Sequence, residues 1–214
     1  MKKAGKIPDE KAIRALIEKY GCPVPFHEVR TRLLGTIATP EMTVSPFQVI
    51  QEIWGGELPV FDGMDDLNAL IGALVDGLWN GLTRHQKRSQ PFRLVRVPME
   101  PTAANLAMYG RIRLEELDGF IEGLFNGEEI IDLPERAHVA VEDLGDLRAM
   151  MVGLCGLMEQ DPEADDCQNI DNLFMQLREL TRIMESEIHE VVLACTRARR
   201  QMLDGIPTER ATVH

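Results

Sequence analysis

Apolar residues in the last quarter of the chain recur at steps of three and four, which is the spacing of one face of an α-helix. The pattern predicts a single long helix over residues 163–204, of which a stretch of about 35 residues would be about 50 Å long. So long an apolar face has to be covered by the rest of the chain or by a partner. The face consists of Ile170, Leu173, Leu177, Leu180, Met184, Ile188, Val191, Cys195, Ala198 and Met202.

Similar spacing upstream predicts more helices, bounded by residues that are typical of helix ends. Asp9 and Ser45 are expected N-caps, and the Asn126-Gly127 pair is expected to end a helix. Residues 89–101 are bounded by prolines and predict an extended connector. The predicted helices upstream of the long one cover residues 9–20, 26–38, 45–54, 65–82, 102–125 and 134–158.

These patterns predict an all-α protein, a helical bundle of six to eight helices in one domain. The domain would span residues 1–214, with a helical core at 8–158, the long C-terminal helix at 163–204, and a tail at 205–214.

Three sets of residues predict how the bundle packs. Leu70, Leu74, Leu78 and Leu147 are expected in the core. The buried face of the third helix should be formed by Phe47, Ile50, Ile53 and Trp54. Interior helical glycines destabilise a helix by about 1 kcal/mol each, so close approach of a neighbouring helix is expected where they occur. These glycines are Gly72, Gly77 and Gly81.

The long apolar face leaves two packing modes open. In the first, it forms the seam of a homodimer. In the second, it folds back on the helix of residues 134–158 as an antiparallel hairpin, with Asp161-Pro162 at the turn. The residues assigned to this candidate dimer seam are Leu177, Leu180, Met184, Ile188 and Val191.

The net charge of the chain limits the kinds of partner that we expect it to bind. The 23 basic and 35 acidic residues give a formal net charge of −12, which argues against a general nucleic-acid-binding protein. The sequence has no secretory leader and no apolar run that could cross a bilayer, so we expect a cytoplasmic protein without a membrane partner. The four cysteines form no C-x-x-C pair, and free thiols are expected.

Basic residues are concentrated in one stretch, which we call the basic patch. Residues 115–146 hold eleven acids and one base, so the two stretches should attract each other. The basic patch either makes such a contact, lies in solvent, or docks an acidic partner or RNA. Its members are Arg84, Lys87, Arg88, Arg93 and Arg96.

Catalytic motifs are absent from the sequence. There is no phosphate-binding loop and no nucleophile elbow. One Glu-x-x-His motif, Glu135 to His138, has no matching partner because Glu185 and His189 are four residues apart. We therefore expect no metal or cofactor. The alternative is a helical-bundle enzyme in which carboxylates meet His138 or His189 only in the fold. The preferred prediction is a noncatalytic protein that binds another protein and forms homodimers.

Two blocks of sequence resemble the UPF0149 family of YecA/YgfB-like bacterial helical proteins. The first is residues 33–41, followed by Ser45-Pro46 and the segment 53–56. The second is residues 117–123, in which Gly119, Phe120 and Gly123 match the family helix, whereas Leu117 and Asp118 replace an aromatic residue and a cysteine. The resemblance covers about residues 23–158, and implies an all-α cytosolic bacterial protein without established catalytic residues.

Overall fold

The computed structural model describes residues 9–40, 44–97, 100–160 and 167–204. In these residues the protein is all-α, with no strand, and its seven helices fall within the predicted six to eight. The predicted tail at 205–214 lies outside the described residues. The helices are α1 (Glu10–Lys19), α2 (Phe26–Ala38), α3 (Pro46–Ile53), α4 (Met64–Gly72), α5 (Ala103–Phe125), α6 (Glu135–Gln160) and α7 (Cys167–Asp204).

Local signals position the helix ends as predicted. The Asp9 side chain accepts a hydrogen bond from the Ala12 N–H at 2.8 Å, and Thr102 accepts one from the Asn105 N–H at 3.2 Å. Asn126 adopts the left-handed conformation, with φ of 48°, directly after α5. These caps satisfy backbone groups that a helix end leaves without partners.

Helix α4 continues in irregular form beyond Gly72. The chain forms π-helical turns at Ala73–Trp79, one α-helical turn at Asn80–Leu82 and a 3-10 turn at Thr83–Gln86, and we call these three segments the α4 extension. The predicted core residues Leu70, Leu74, Leu78 and Leu147 are all buried. Thus the apolar periodicity identified the buried face even though the helical hydrogen bonding changes along it.

The close helix approach expected at Gly72 and Gly81 is wrong. A methyl group added at Gly81 would meet no atom within 4 Å, and one at Gly72 would approach the Asp76 carboxylate alone. Phe47 of α3 also departs from the prediction, since it is 47% exposed, while Ile50 and Ile53 are buried.

The closest helix contact joins α2 and α5. A methyl group added at Gly35 would overlap the backbone carbonyl of Phe120, and one at Gly123 would overlap that of Arg32. A methyl group at Gly119 would lie 2.7 Å from the Glu28 carbonyl oxygen, which is less close but still too short for a carbon atom. Only glycine at these three positions lets the two backbones come so near.

The long helix α7 packs against α6, and its middle and C-terminal parts also contact α5 and α2. Leu177, Met184, Ile188 and Val191 are at most 1% exposed within one chain, and Leu180 is partly buried. The candidate dimer seam is therefore covered by the chain's own helices, as in the alternative fold-back hairpin. No helix in the described residues is both long and apolar enough to cross a membrane.

Candidate partner-binding groove

Within the predicted connector of residues 89–101, residues 91–97 link the α4 extension to α5 in the chain, and we hereafter call these seven residues the connector. They form neither helix nor strand, and burial alternates along them. Phe92 and Leu94 are buried in the core, while Arg93 and Arg96 are exposed. Both arginines are therefore exposed on a segment that Phe92 and Leu94 anchor in the core.

Charged side chains from the helices bind the backbone of the connector. Glu185 accepts the Leu94 N–H at 3.0 Å, and Glu116 accepts the Val95 N–H at 2.8 Å. The carbonyls of Arg93 and Val95 accept hydrogen bonds from Arg30 at 2.8 Å and from Arg113 at 2.7 Å. In a sheet, a neighbouring strand would provide hydrogen-bond partners for the backbone of an extended segment. Here the charged side chains provide those partners instead.

A buried ion pair lies beneath the connector. Arg113 and Glu116 are 2% and 0% exposed, and the Arg113 Nη1 donates to the Glu116 carboxylate. Burial raises the pKa of Glu116 to about 7, although the charge of Arg113 and the Val95 N–H both act to lower it. Arg113 also donates through Nε to Thr181 at 3.1 Å, so the pair ties α5 to α7 as well as to the connector.

A groove of about 950 Å³ opens between the connector, α5 and α7, and we call it the arginine groove. Its buried floor is formed by Tyr109, Arg113 and Thr181. A second groove of about 310 Å³, which includes Arg88 and His189, shares residues with it at one end. The exposed cationic residues around the larger groove are Arg93, Arg96, Arg178 and Arg182.

Two carboxylates partly neutralise these arginines. Arg93 Nη1 lies 2.6 Å from Glu185 Oε2, and Arg182 Nη1 lies 2.8 Å from Glu179 Oε2. The Glu185 side chain is only 11% exposed, because it also binds the connector backbone. Arg96 and Arg178 make no ion pair with a described residue, so the groove keeps exposed positive charge.

The structure divides the predicted basic patch. Arg93 and Arg96 reach the arginine groove and Arg88 the adjoining one, whereas Arg84 and Lys87 line neither. The basic patch was expected to contact the acidic residues 115–146. Its described ion pair instead joins Arg93 to Glu185 of α7. The acidic stretch meets the connector through the buried Glu116, which binds backbone rather than an arginine of the patch.

Sequence reasoning missed the groove residues on α5 and α7. Arg178, Arg182, Glu185 and His189 follow one another at steps of four, three and four, which places them on one helix face. That periodicity was a usable signal for a polar strip beside the apolar face. Arg113 offered no such signal, since an arginine that precedes Glu115 and Glu116 is typical of an exposed helix.

Of the two histidines considered for a catalytic site, His189 shares a groove with the carboxylates of Glu185 and Glu190, whereas His138 meets one exposed carboxylate. His138 Nδ1 lies 3.5 Å from Glu142 on the surface of α6, and His189 lines the smaller groove on α7. Among the described residues no group of three or more His, Cys, Asp and Glu side chains is arranged to hold a metal ion.

A different histidine–carboxylate pair, which the sequence did not reveal, joins α2 to α5. His27 Nε2 lies 2.7 Å from Glu115 Oε2, and burial lowers the pKa of His27 against the opposing effect of that carboxylate. Burial and the nearby Glu122 and Glu115 raise the pKa of the adjacent Glu28 to about 7. These groups offer proton binding between α2 and α5, and they line neither the arginine groove nor the smaller groove beside it.

No family model matches the chain, and no curated protein or solved structure matches it significantly. The chemistry of the groove follows from the residues that line it.

Proposed function

We propose that this is a noncatalytic interaction protein that binds an acidic segment of another protein in the arginine groove. The observation that carries the proposal is the convergence of four exposed arginines, from the connector and from α7, around one groove. Arginine is the residue best suited to such recognition, because its planar guanidinium group can bind a carboxylate through two hydrogen bonds.

The buried framework supports the same function. The connector is fixed by Glu116, Glu185, Arg30 and Arg113, so Arg93 and Arg96 start from a backbone that is already ordered. A preorganised site loses less conformational entropy when a ligand binds than a mobile loop would. An extended acidic segment therefore meets a rigid row of cationic groups.

A protein segment fits the groove better than a nucleic acid does. The net charge of −12 repels a long polyanion more strongly than a short segment with a few carboxylates. Proteins that bind single-stranded nucleic acids typically stack the bases on exposed aromatic rings. The aromatic residues nearest the groove, Phe92 and Tyr109, are 0% and 6% exposed and so present no stacking surface.

Two further parts of the proposal come from sequence. We propose a cytoplasmic location, where free thiols such as those of Cys22 and Cys195 are usual. We also propose a relationship to the UPF0149 family. In its support, the glycines that carry the resemblance, Gly35, Gly119 and Gly123, are the ones that bring α2 and α5 into backbone contact.

Fluorescence anisotropy with a labelled hexaglutamate peptide tests the groove. Arg96→Glu combined with Arg178→Glu reverses two exposed charges without breaking a described ion pair. We expect this variant to weaken the peptide dissociation constant by about tenfold or more. Arg197→Glu combined with Arg200→Glu is the matched control, because it makes the same charge change on exposed residues of the same helix away from the groove.

Three outcomes of this experiment count against the proposal. Equal weakening by both double variants would indicate nonspecific attraction by net charge. No measurable binding of hexaglutamate by the wild type would remove the acidic partner. Tight binding of a ten-nucleotide uridine RNA at physiological salt, lost in the Arg96/Arg178 variant, would assign the groove to RNA instead.

A further inference from the structure

The loop between α5 and α6 is acidic and exposed. Residues 128–133 form neither helix nor strand, and we call them the acidic loop. Glu128, Glu129 and Asp132 are exposed and form no ion pair with a described residue. The loop contains no basic residue, and Ile130 between the carboxylates is 87% exposed. The acidic loop therefore presents three carboxylates and one apolar side chain to a partner.

The acidic loop cannot reach the arginine groove of its own chain. The groove lies beside the N-terminal half of α5, where Tyr109 and Arg113 form its floor, whereas the loop follows the C-terminal end of that helix. Arg113 and Phe125 are twelve positions apart, which is about 18 Å along the helix axis. The loop is also anchored at its own end, because Ile131 and Leu133 pack against the core. Only the acidic loop of a second copy could therefore enter the groove.

The acidic loop and the arginine groove have complementary charge and polarity. The groove offers Arg96 and Arg178, two exposed arginines without an ion pair to a described residue. Val95 and Val97 line the same groove and are partly buried, so an apolar contact for Ile130 lies beside the arginines. Complementary charge of this kind selects a partner and fixes its orientation.

Given the proposed function of the arginine groove, on which this step rests, we propose that its acidic partner is the acidic loop of a second copy of this chain. Because groove and loop lie toward opposite ends of α5, two antiparallel copies can each place a loop in the other's groove. The net charge of −12 repels two copies at long range. At physiological ionic strength, however, exposed charges more than about 8 Å apart are largely screened, so the local pairing of opposite charges decides the contact.

Charge reversal on the two surfaces tests the contact in the full chain. Sedimentation equilibrium measures the dissociation constant for self-association of the wild type and of each variant. The loop variant, Glu129→Lys with Asp132→Lys, and the groove variant, Arg96→Glu with Arg178→Glu, should each weaken self-association by about tenfold or more. The variant with all four substitutions should restore self-association, because the charges of the two surfaces are then exchanged.

Glu18→Lys combined with Glu57→Lys is the matched control for the loop variant. It makes the same change of net charge at exposed residues that line neither surface. Both variants reduce the net repulsion between copies equally, so the control should not weaken self-association. Weakening by the control as large as that by the loop variant would contradict a specific contact.

Hexaglutamate gives a test on the wild type that needs no variant, because it should compete with the acidic loop and dissociate the copies. A wild type that binds hexaglutamate in the groove but stays monomeric at high micromolar concentration would overturn the self-association and leave the proposed function standing. No hexaglutamate binding and no self-association would remove both. Self-association that hexaglutamate leaves unchanged, that only the loop variant loses, or that the four substitutions fail to restore would place the acidic loop outside the groove.

Discussion

Single glycines decide how close α2 and α5 can come. The backbone atoms of Arg32 and Phe120 occupy the space in which side chains at Gly123 and Gly35 would lie. Because the obstacle is backbone rather than the tip of a flexible side chain, the helices themselves would have to move to admit a methyl group. The contact therefore depends on residue identity more strictly than the leucine positions of the core do.

Replacing Gly123 with alanine should lower the free energy of unfolding by about 3 kcal/mol or more, because α2 and α5 must separate. Gly153→Ala on α6 is the matched control, since a methyl group there meets no atom within 4 Å. That change should instead stabilise the protein by about 0.5–1 kcal/mol through helix propensity. Urea unfolding followed by circular dichroism measures both. Similar effects of the two substitutions would contradict the close contact.

Glu28 is the residue from which we expect a pH effect. Its pKa is raised to about 7 in the folded chain, from an ordinary 4.5. The folded state thus binds more protons than the unfolded state between these values, so stability should fall as pH rises through that window. Glu28→Gln removes this loss, and should stabilise the protein at pH 8 by about 1–2 kcal/mol after allowance for solvent screening.

Urea unfolding at pH 5 and pH 8 tests this expectation. The difference between wild type and Glu28→Gln should be larger at pH 8 than at pH 5. Glu18→Gln, at an exposed position on α1, serves as the control for general charge effects. A difference that does not change with pH would show that Glu28 has an ordinary pKa.

At the scale of elements, the connector and α7 depend on each other. Glu185 of α7 holds the connector backbone at Leu94, a residue 91 positions earlier in the chain. Arg113 of α5 contacts both elements, through Val95 and Thr181. The connector is therefore ordered by helices that are distant in sequence, and its arginines share a groove with α7 for the same reason.

The burial of α7 predicts the effect of charges on its apolar face. Ile188→Glu should cost about 4 kcal/mol or more, because Ile188 is 0% exposed and an unpaired carboxylate would be buried. Ile183→Glu on the same helix should cost much less, since Ile183 is 42% exposed. Chemical unfolding measures both free energies. A folded, equally stable Ile188→Glu variant would contradict the fold-back packing of α7.

For the whole molecule, one chain covers most of the apolar face that suggested a dimer. Homodimerisation stays a prediction, and it would need a surface other than the buried seam residues. Light scattering would then give about twice the 24.1 kDa mass of the chain. A mass near that of one chain at high micromolar concentration would contradict dimerisation.

The sequence by itself determined the helices and most of their ends. Apolar spacing and caps are local properties, so residues such as Asp9, Thr102 and Asn126 specify helix ends without reference to distant parts of the chain. The spacing around Leu74 likewise identified a buried face, and the basic patch supplied two of the groove arginines. The irregular turns of the α4 extension could not be predicted from the sequence, because the same apolar stripe fits both α-helical and π-helical turns.

Tertiary structure alone decided which distant residues meet. The contact of Gly35 with α5, the groove shared by Arg96 and Arg178, and the ion pair of Arg93 with Glu185 each depend on elements far apart in the chain. Periodicity shows that a face is buried, but it does not specify what covers that face. For this reason the sequence predicted α7 as a long amphipathic helix and left a dimer seam and a fold-back hairpin as alternatives, and only the tertiary structure showed the fold-back.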